Sequence, residues 1–197
     1  EFRRVLFRSI RFINANAELI SNNQVKAGDE TLNADAIVIA TGSVPRTIPG
    51  VTVDEQTIFS STGILELEQT PKSLAIIGGG YIGLELGSVW NRLGTEVHVV
   101  ETFDRITPAL DQDLSQALQT ALEKQGFNFH LRSTISKVNV TKNGAEIVIE
   151  QSGKTQTLNV EKVLVSVGRR PNTDNLNLDK LNITTTPQGF IQVNDHL

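Results

Sequence analysis

The stretch Gly78-Gly79-Gly80-Tyr81-Ile82-Gly83 has glycine at its first, third and sixth positions, and Glu101 stands 18 residues after the last of them. That spacing suits the binding of a dinucleotide. Gly78 permits a tight turn, Gly80 lets main chain approach a pyrophosphate with no side chain between, and Gly83 lets a helix pack closely on the preceding strand. Unpaired N–H groups and the dipole at a helix start favour the negative phosphates. A carboxylate at 101 accepts hydrogen bonds from ribose hydroxyls and repels a 2′-phosphate, which favours NAD over NADP. The plainer readings are a glycine-rich strand-to-helix turn with no ligand and a solvated strand-end glutamate.

The elements around these residues are those that such a loop needs. Ser73-Leu74-Ala75-Ile76-Ile77 is apolar enough for a buried strand, and Leu84, Leu86, Val89, Trp90 and Leu93 then recur at helical spacing up to Gly94. Glu96-Val97-His98-Val99-Val100 predicts a second strand that ends at Glu101. Asp111 as N-cap, Leu114, Leu118 and Leu122 four apart, and Gly126 as a stop predict a second helix, with Phe127 to Leu131 as the next strand. Three alternating runs separated by Asn143-Gly144 and Ser152-Gly153 predict a three-stranded antiparallel meander. Val163 to Val167 is another buried strand, closing on Gly168-Arg169-Arg170-Pro171-Asn172. Upstream, Asp35-Ala36-Ile37-Val38-Ile39-Ala40 reads as a strand covered on both faces, ending at Thr41-Gly42-Ser43 before Pro45.

The sequence is 39% hydrophobic and 20% charged, which suits a globular chain with a real core. A formal charge of -4 gives no broad positive field for a nucleic-acid backbone or an anionic membrane, and no apolar run is long enough to cross a bilayer. Neither nucleic acid nor membrane is an expected partner. With no cysteine, a disulfide, a thiolate metal site and a cysteine nucleophile are all excluded within these residues. No metal site is expected. The absence of methionine is taken to mean that the sequence begins inside a longer protein, and Glu1 to Ser9, which combine three arginines with bulky apolar residues, read as a non-native tail. His98 and His130 fall within strands and His196 lies near the end, with no carboxylate partner indicated by spacing, so all three read as packing or surface residues.

On the segments Ile39 to Ser43, Gly78 to Trp90 and Val167 to Asn172, the chain resembles the pyridine nucleotide–disulfide oxidoreductases, closest to their dihydrolipoamide dehydrogenase branch. The resemblance implies an α/β fold in which a Rossmann-like NAD-binding domain, about 50 to 171, is flanked by incomplete pieces of an FAD-binding domain, 10 to 49 and 172 to 197. It implies NAD contacts from Gly78, Gly79, Gly80, Tyr81, Ile82, Gly83, Leu84 and Glu85, then Glu101, Ile135 and Gly168, and FAD contacts from Thr41, Gly42 and Ser43. Tyr81 would lie over the flavin where nicotinamide enters, and Glu85 beside the nicotinamide. Ala17 stands where the family has a glycine near the FAD adenine.

In that family electrons pass from a dithiol through a cysteine pair to FAD and then, as hydride, to NAD. The implied partners of the whole protein are the dihydrolipoyl group of a 2-oxoacid dehydrogenase complex and a second copy in a homodimer, in the cytoplasm or the mitochondrial matrix. The cysteine pair, the first flavin glycine loop and the His-Glu acid/base pair of the family are not in this sequence. No catalytic residue is therefore assigned, and the chain reads as an internal fragment that is inactive alone. A stand-alone dinucleotide-binding or regulatory module, a related NAD(P)-linked flavin disulfide reductase and a transhydrogenase stay open as alternatives.

Overall fold

The computed structural model describes residues 10–196, so the reading of Glu1 to Ser9 lies outside the described residues. The chain divides into two compact units, one made of the residues up to Val44 and from Arg170 onward, the other of Pro45–Arg169.

In the first unit β1 (Ala17–Ser21), β2 (Gln24–Ala27) and β3 (Glu30–Asn33) form an antiparallel sheet in that order. Leu19 of β1 is buried with Leu176 and Leu178 in a small core. The run from Asp35 to Ala40 is not the doubly covered strand that its composition predicts. It is irregular, Ile37 and Ile39 only pack against the edge of that core, and Val38 is 87% exposed. A strand needs a neighbour on which to spend its N–H and C=O groups, and among the described residues no strand of this unit pairs with it. A short strand β4 (Ser43–Pro45) follows, where the chain leaves the unit.

The second unit is layered. β5 (Ile58–Ser60), β6 (Ser73–Ile77), β7 (Glu96–Val100), β8 (Asn128–His130) and β12 (Lys162–Val165) form a parallel sheet in the order β5-β12-β6-β7-β8. β9 (Ser133–Thr141), β10 (Gly144–Gln151) and β11 (Lys154–Val160) form an antiparallel sheet with β10 in the middle. On one face of the parallel sheet, Leu74, Ile76, Val97, Val99 and Leu164 pack with Leu84 and Trp90 of helix α1 (Tyr81–Arg92) and Leu122 of helix α2 (Gln112–Lys124). On the other face, Ala75, Ile77, Val100, Val163 and Val165 pack with Ala145, Ile147 and Ile149 of β10 and Val160 of β11. Burial on both faces is why these strands read as unbroken apolar runs rather than as alternation. Each fully buried aliphatic side chain stabilises the fold by about 1.5–3 kcal/mol.

Some local features differ from the sequence reading. Val89 and Leu93 are exposed, because α1 meets the sheet through Gly83 and Gly87: a Cβ on Gly87 would stand 2.6 Å from Ile76 Cδ1. Leu114 is likewise exposed on α2, and Asp111 occupies the N-cap position without a side-chain capping bond. The loop between β9 and β10 is Lys142-Asn143, since Gly144 already pairs with Thr141. β5 has too few residues to show a period in the sequence.

Candidate functional site

The glycine loop begins where β6 stops. Gly78 takes φ +103°, its N–H donates to Val100 O at 2.9 Å, and an added Cβ would lie 2.4 Å from Ser166 O, so only glycine fits this turn. Gly80 is the N-cap of α1, and among the described residues no heavy atom lies within 4 Å of the place its Cβ would take and no side chain caps the helix. The first amides of α1 therefore keep their donors for a ligand. At Gly83 a Cβ would come within 2.7 Å of Gly78 O and 2.9 Å of Ile76 Cγ2, so its absence sets the close approach of helix to strand.

Glu101 is only 7% exposed, and its carboxylate turns toward the loop. Oε2 accepts the Gly79 N–H at 2.6 Å, while Oε1 accepts the Phe103 N–H at 2.9 Å and the Thr102 hydroxyl at 3.0 Å. A carboxylate offers roughly four acceptor sites. Three are occupied, so one is left for an incoming hydroxyl, and a second opens if the Thr102 hydroxyl rotates.

Gly78, Gly80, Glu101, Ile135 and Gly168 all line one cleft of about 490 Å³. The other residues of the NAD set stand differently. Tyr81 is 69% exposed, Glu85 is exposed and Ile82 half-buried, while the Leu84 side chain belongs to the core on the helix side, so only its main chain can face a ligand. Thr102, Phe103 and Pro108 also form cleft wall. Nothing in the sequence marks them, because they follow β7 in an irregular segment whose course depends on its contacts.

The residues that the resemblance assigns to FAD belong to the first unit. Thr41 lines a separate cleft of about 880 Å³ together with Ala17, Glu18, Lys26 and Gly28. Gly42 and Ser43 do not line it. Asn172 holds this turn: its N–H donates to Gly42 O at 3.0 Å and its Nδ2 to Thr41 O at 3.3 Å.

The histidines correct another expectation. His98 does have a carboxylate partner, Glu96, two residues back on the same face of β7, at 3.2 Å from Nε2. Its ring stacks on His130, with His98 Nδ1 and His130 Nε2 3.4 Å apart, and Gln156 Nε2 lies 3.0 Å from His130 Nδ1. One proton on each ring satisfies this row: Gln156 donates to His130, His130 to His98, and His98 to Glu96. Burial, then the neighbouring His98, hold His130 below the ordinary histidine value. The unfolded chain therefore takes up this proton at higher pH than the folded one, so the stability gained from a neutral ring is present above about pH 6.5 and is lost as pH falls below it. Urea midpoints should drop between about pH 8 and about pH 5.5 and drop less in His130→Gln. Parallel pH profiles for the two proteins would show that the ring is not responsible.

Comparison with known proteins bears on the family and the fold. The family described as pyridine nucleotide-disulphide oxidoreductase matches residues 3–197. Dihydrolipoyl dehydrogenase 3 of Pseudomonas putida is 48% identical over 167 residues, covering 83% of this chain and 36% of the relative. Leghemoglobin reductase of Glycine max is 42% identical over 193 residues, covering 94% and 37%. Among solved structures, the HOCl-induced flavoprotein disulfide reductase RclA from Escherichia coli superposes with a TM-score of 0.80 at 27% identity, over 91% of this chain and 41% of that one. The chain thus spans between a third and two-fifths of the length of these curated relatives. With the family match running over nearly every residue, and the mixed α/β fold shared with a flavoprotein disulfide reductase, the chain belongs to the pyridine nucleotide-disulphide oxidoreductase family.

Proposed function

We propose that about 50 to 171, nearly all of it within the compact unit Pro45–Arg169, is a Rossmann-like NAD-binding domain, its antiparallel sheet being the meander that backs it, within a flavoprotein of the dihydrolipoamide dehydrogenase type. The observation that carries this reading is the buried Glu101 carboxylate, bonded to the glycine loop and lining the same cleft as Gly78 and Gly80. The residues fit the cofactor. Gly80 leaves open the space where a pyrophosphate would rest on the amides of α1, and Glu101 keeps acceptor capacity for the ribose diol. NAD, when bound, supplies a hydride acceptor. This chain's residues would hold its adenosine end, with the acid disfavouring a 2′-phosphate. Tyr81, exposed at the helix start, would cover the nicotinamide approach, and Glu85, one turn on, would stand beside the nicotinamide.

Residues 10 to 49 and 172 to 197 would belong to a flavin domain, where Thr41 would stand at the wall of an FAD site and Gly42 and Ser43 would turn the chain beside it. Thr41 and Ala17, both lining the first unit's cleft, support this role. Electrons would come from a dihydrolipoyl group in a homodimeric enzyme of the cytoplasm or mitochondrial matrix, through cysteines that these residues do not contain.

Calorimetric titration of the chain with NAD, NADP and FAD tests the reading. NAD binding is expected, with NADP weaker and FAD negligible. Equal affinity for NAD and NADP would remove the role given to Glu101, and no binding of either would remove the site.

A further inference from the structure

Gly79, in the middle of the glycine loop, is gripped from both sides. Its N–H goes to Glu101, and its carbonyl accepts the Thr107 N–H at 2.9 Å. Thr107 is unusual. It is buried, yet its backbone sits at φ +43°, a left-handed conformation that a β-branched residue adopts only under constraint. The constraint is visible in a fully buried partner at the start of α2. The Ser115 hydroxyl donates to Thr107 O at 3.2 Å, and its oxygen lies 3.2 Å from Thr107 Oγ1. Because the Ser115 proton is directed to the carbonyl, the Thr107 hydroxyl supplies the proton between the two oxygens.

Neither Thr107 nor Ser115 lines the cleft. Strain held by a dedicated buried pair, and transmitted through one hydrogen bond to the glycine loop, is the pattern of preorganisation rather than of packing alone. We propose that Thr107 and Ser115 are positioning residues for the pyrophosphate part of the cofactor site: Ser115 holds Thr107 in its left-handed conformation, and the Thr107 N–H fixes the plane of the Gly79 peptide and with it the path into Gly80. This rests on reading the loop as a dinucleotide cradle. The pair acts on the phosphate half of the site, whereas Glu101 acts on the ribose.

The test titrates ADP-ribose and adenosine into the full 197-residue chain and its variants, with circular dichroism to establish that each is folded. Ser115→Ala and Thr107→Val, which keeps the shape and removes the hydroxyl, are each expected to weaken ADP-ribose roughly five- to tenfold while leaving adenosine within about twofold. Thr107→Ser, which keeps the hydroxyl, is expected to bind as the unchanged chain does. Should one of the first two variants fail to fold, the other decides. Unchanged ADP-ribose binding in a folded variant, or equal loss of both ligands, overturns the proposal. An unchanged chain that binds neither ligand overturns the dinucleotide reading itself, and the clamp with it.

Discussion

Gly78→Ala is expected to lower the unfolding free energy by about 2–5 kcal/mol in urea denaturation. Two separate costs meet at this position. The residue sits at φ +103°, where a Cβ is strained whatever surrounds it, and that Cβ would stand 2.4 Å from Ser166 O, a main-chain atom at the end of β12 that cannot step aside without moving the sheet. Gly80→Ala is the matched control. It lies two residues on, at negative φ, with open space around the added atom, and should cost at most about 1 kcal/mol, the loss of a glycine N-cap, while weakening NAD binding. Similar stability losses in the two variants would show that the turn geometry is not what selects glycine at 78.

The second large effect is expected on ligand binding. Glu101→Ala should weaken NAD about ten- to a hundredfold and bring its affinity close to that of NADP, since the ribose loses a charged acceptor and the 2′-phosphate loses its repulsion. The same change removes the acceptor of the Gly79 and Phe103 N–H groups, so a stability loss of about 1–3 kcal/mol should accompany it. Glu101→Gln separates the two roles. Its amide oxygen can still accept from one of those N–H groups, so the fold should lose less, while preference for NAD over NADP should fall as in the alanine variant. Undiminished preference in Glu101→Gln would assign the selectivity to something other than charge.

Much of the second unit was legible because its signals are local. The strand at 73–77, the glycines, α1 and the strand at 96–100 follow one another without interruption, and each announces itself by composition or period. What was not legible depends on neighbours remote in the chain. Asp35 to Ala40 has the composition of a covered strand, and what decides otherwise is that no strand among the described residues pairs with it. Val89 and Leu93 fit a helical period, yet the close face of α1 was marked instead by glycines, which carry no hydropathy signal. In the site, glycine spacing and the strand-end acid could be read directly. That Glu101 would be held by Phe103 and Thr102, or Gly79 by Thr107, could not, because the segment from 102 to 110 has no regular structure and its bonds follow from its fold. His98 and Glu96 share a strand face at a spacing of two, and that pairing was available to a period-2 reading.

The order β5-β12-β6-β7-β8 has a consequence for how the chain is made. β12 is the last strand of its sheet to emerge during synthesis, yet it occupies a place between two earlier ones, and Val163 pairs across 105 residues with Ile58. Until β12 arrives, β6 exposes an unpaired rim and β5 has nothing to dock against. A nascent chain halted before residue 162 should consequently present a sticky, chaperone-dependent edge, with the barrier to folding set by a wide loop closing late.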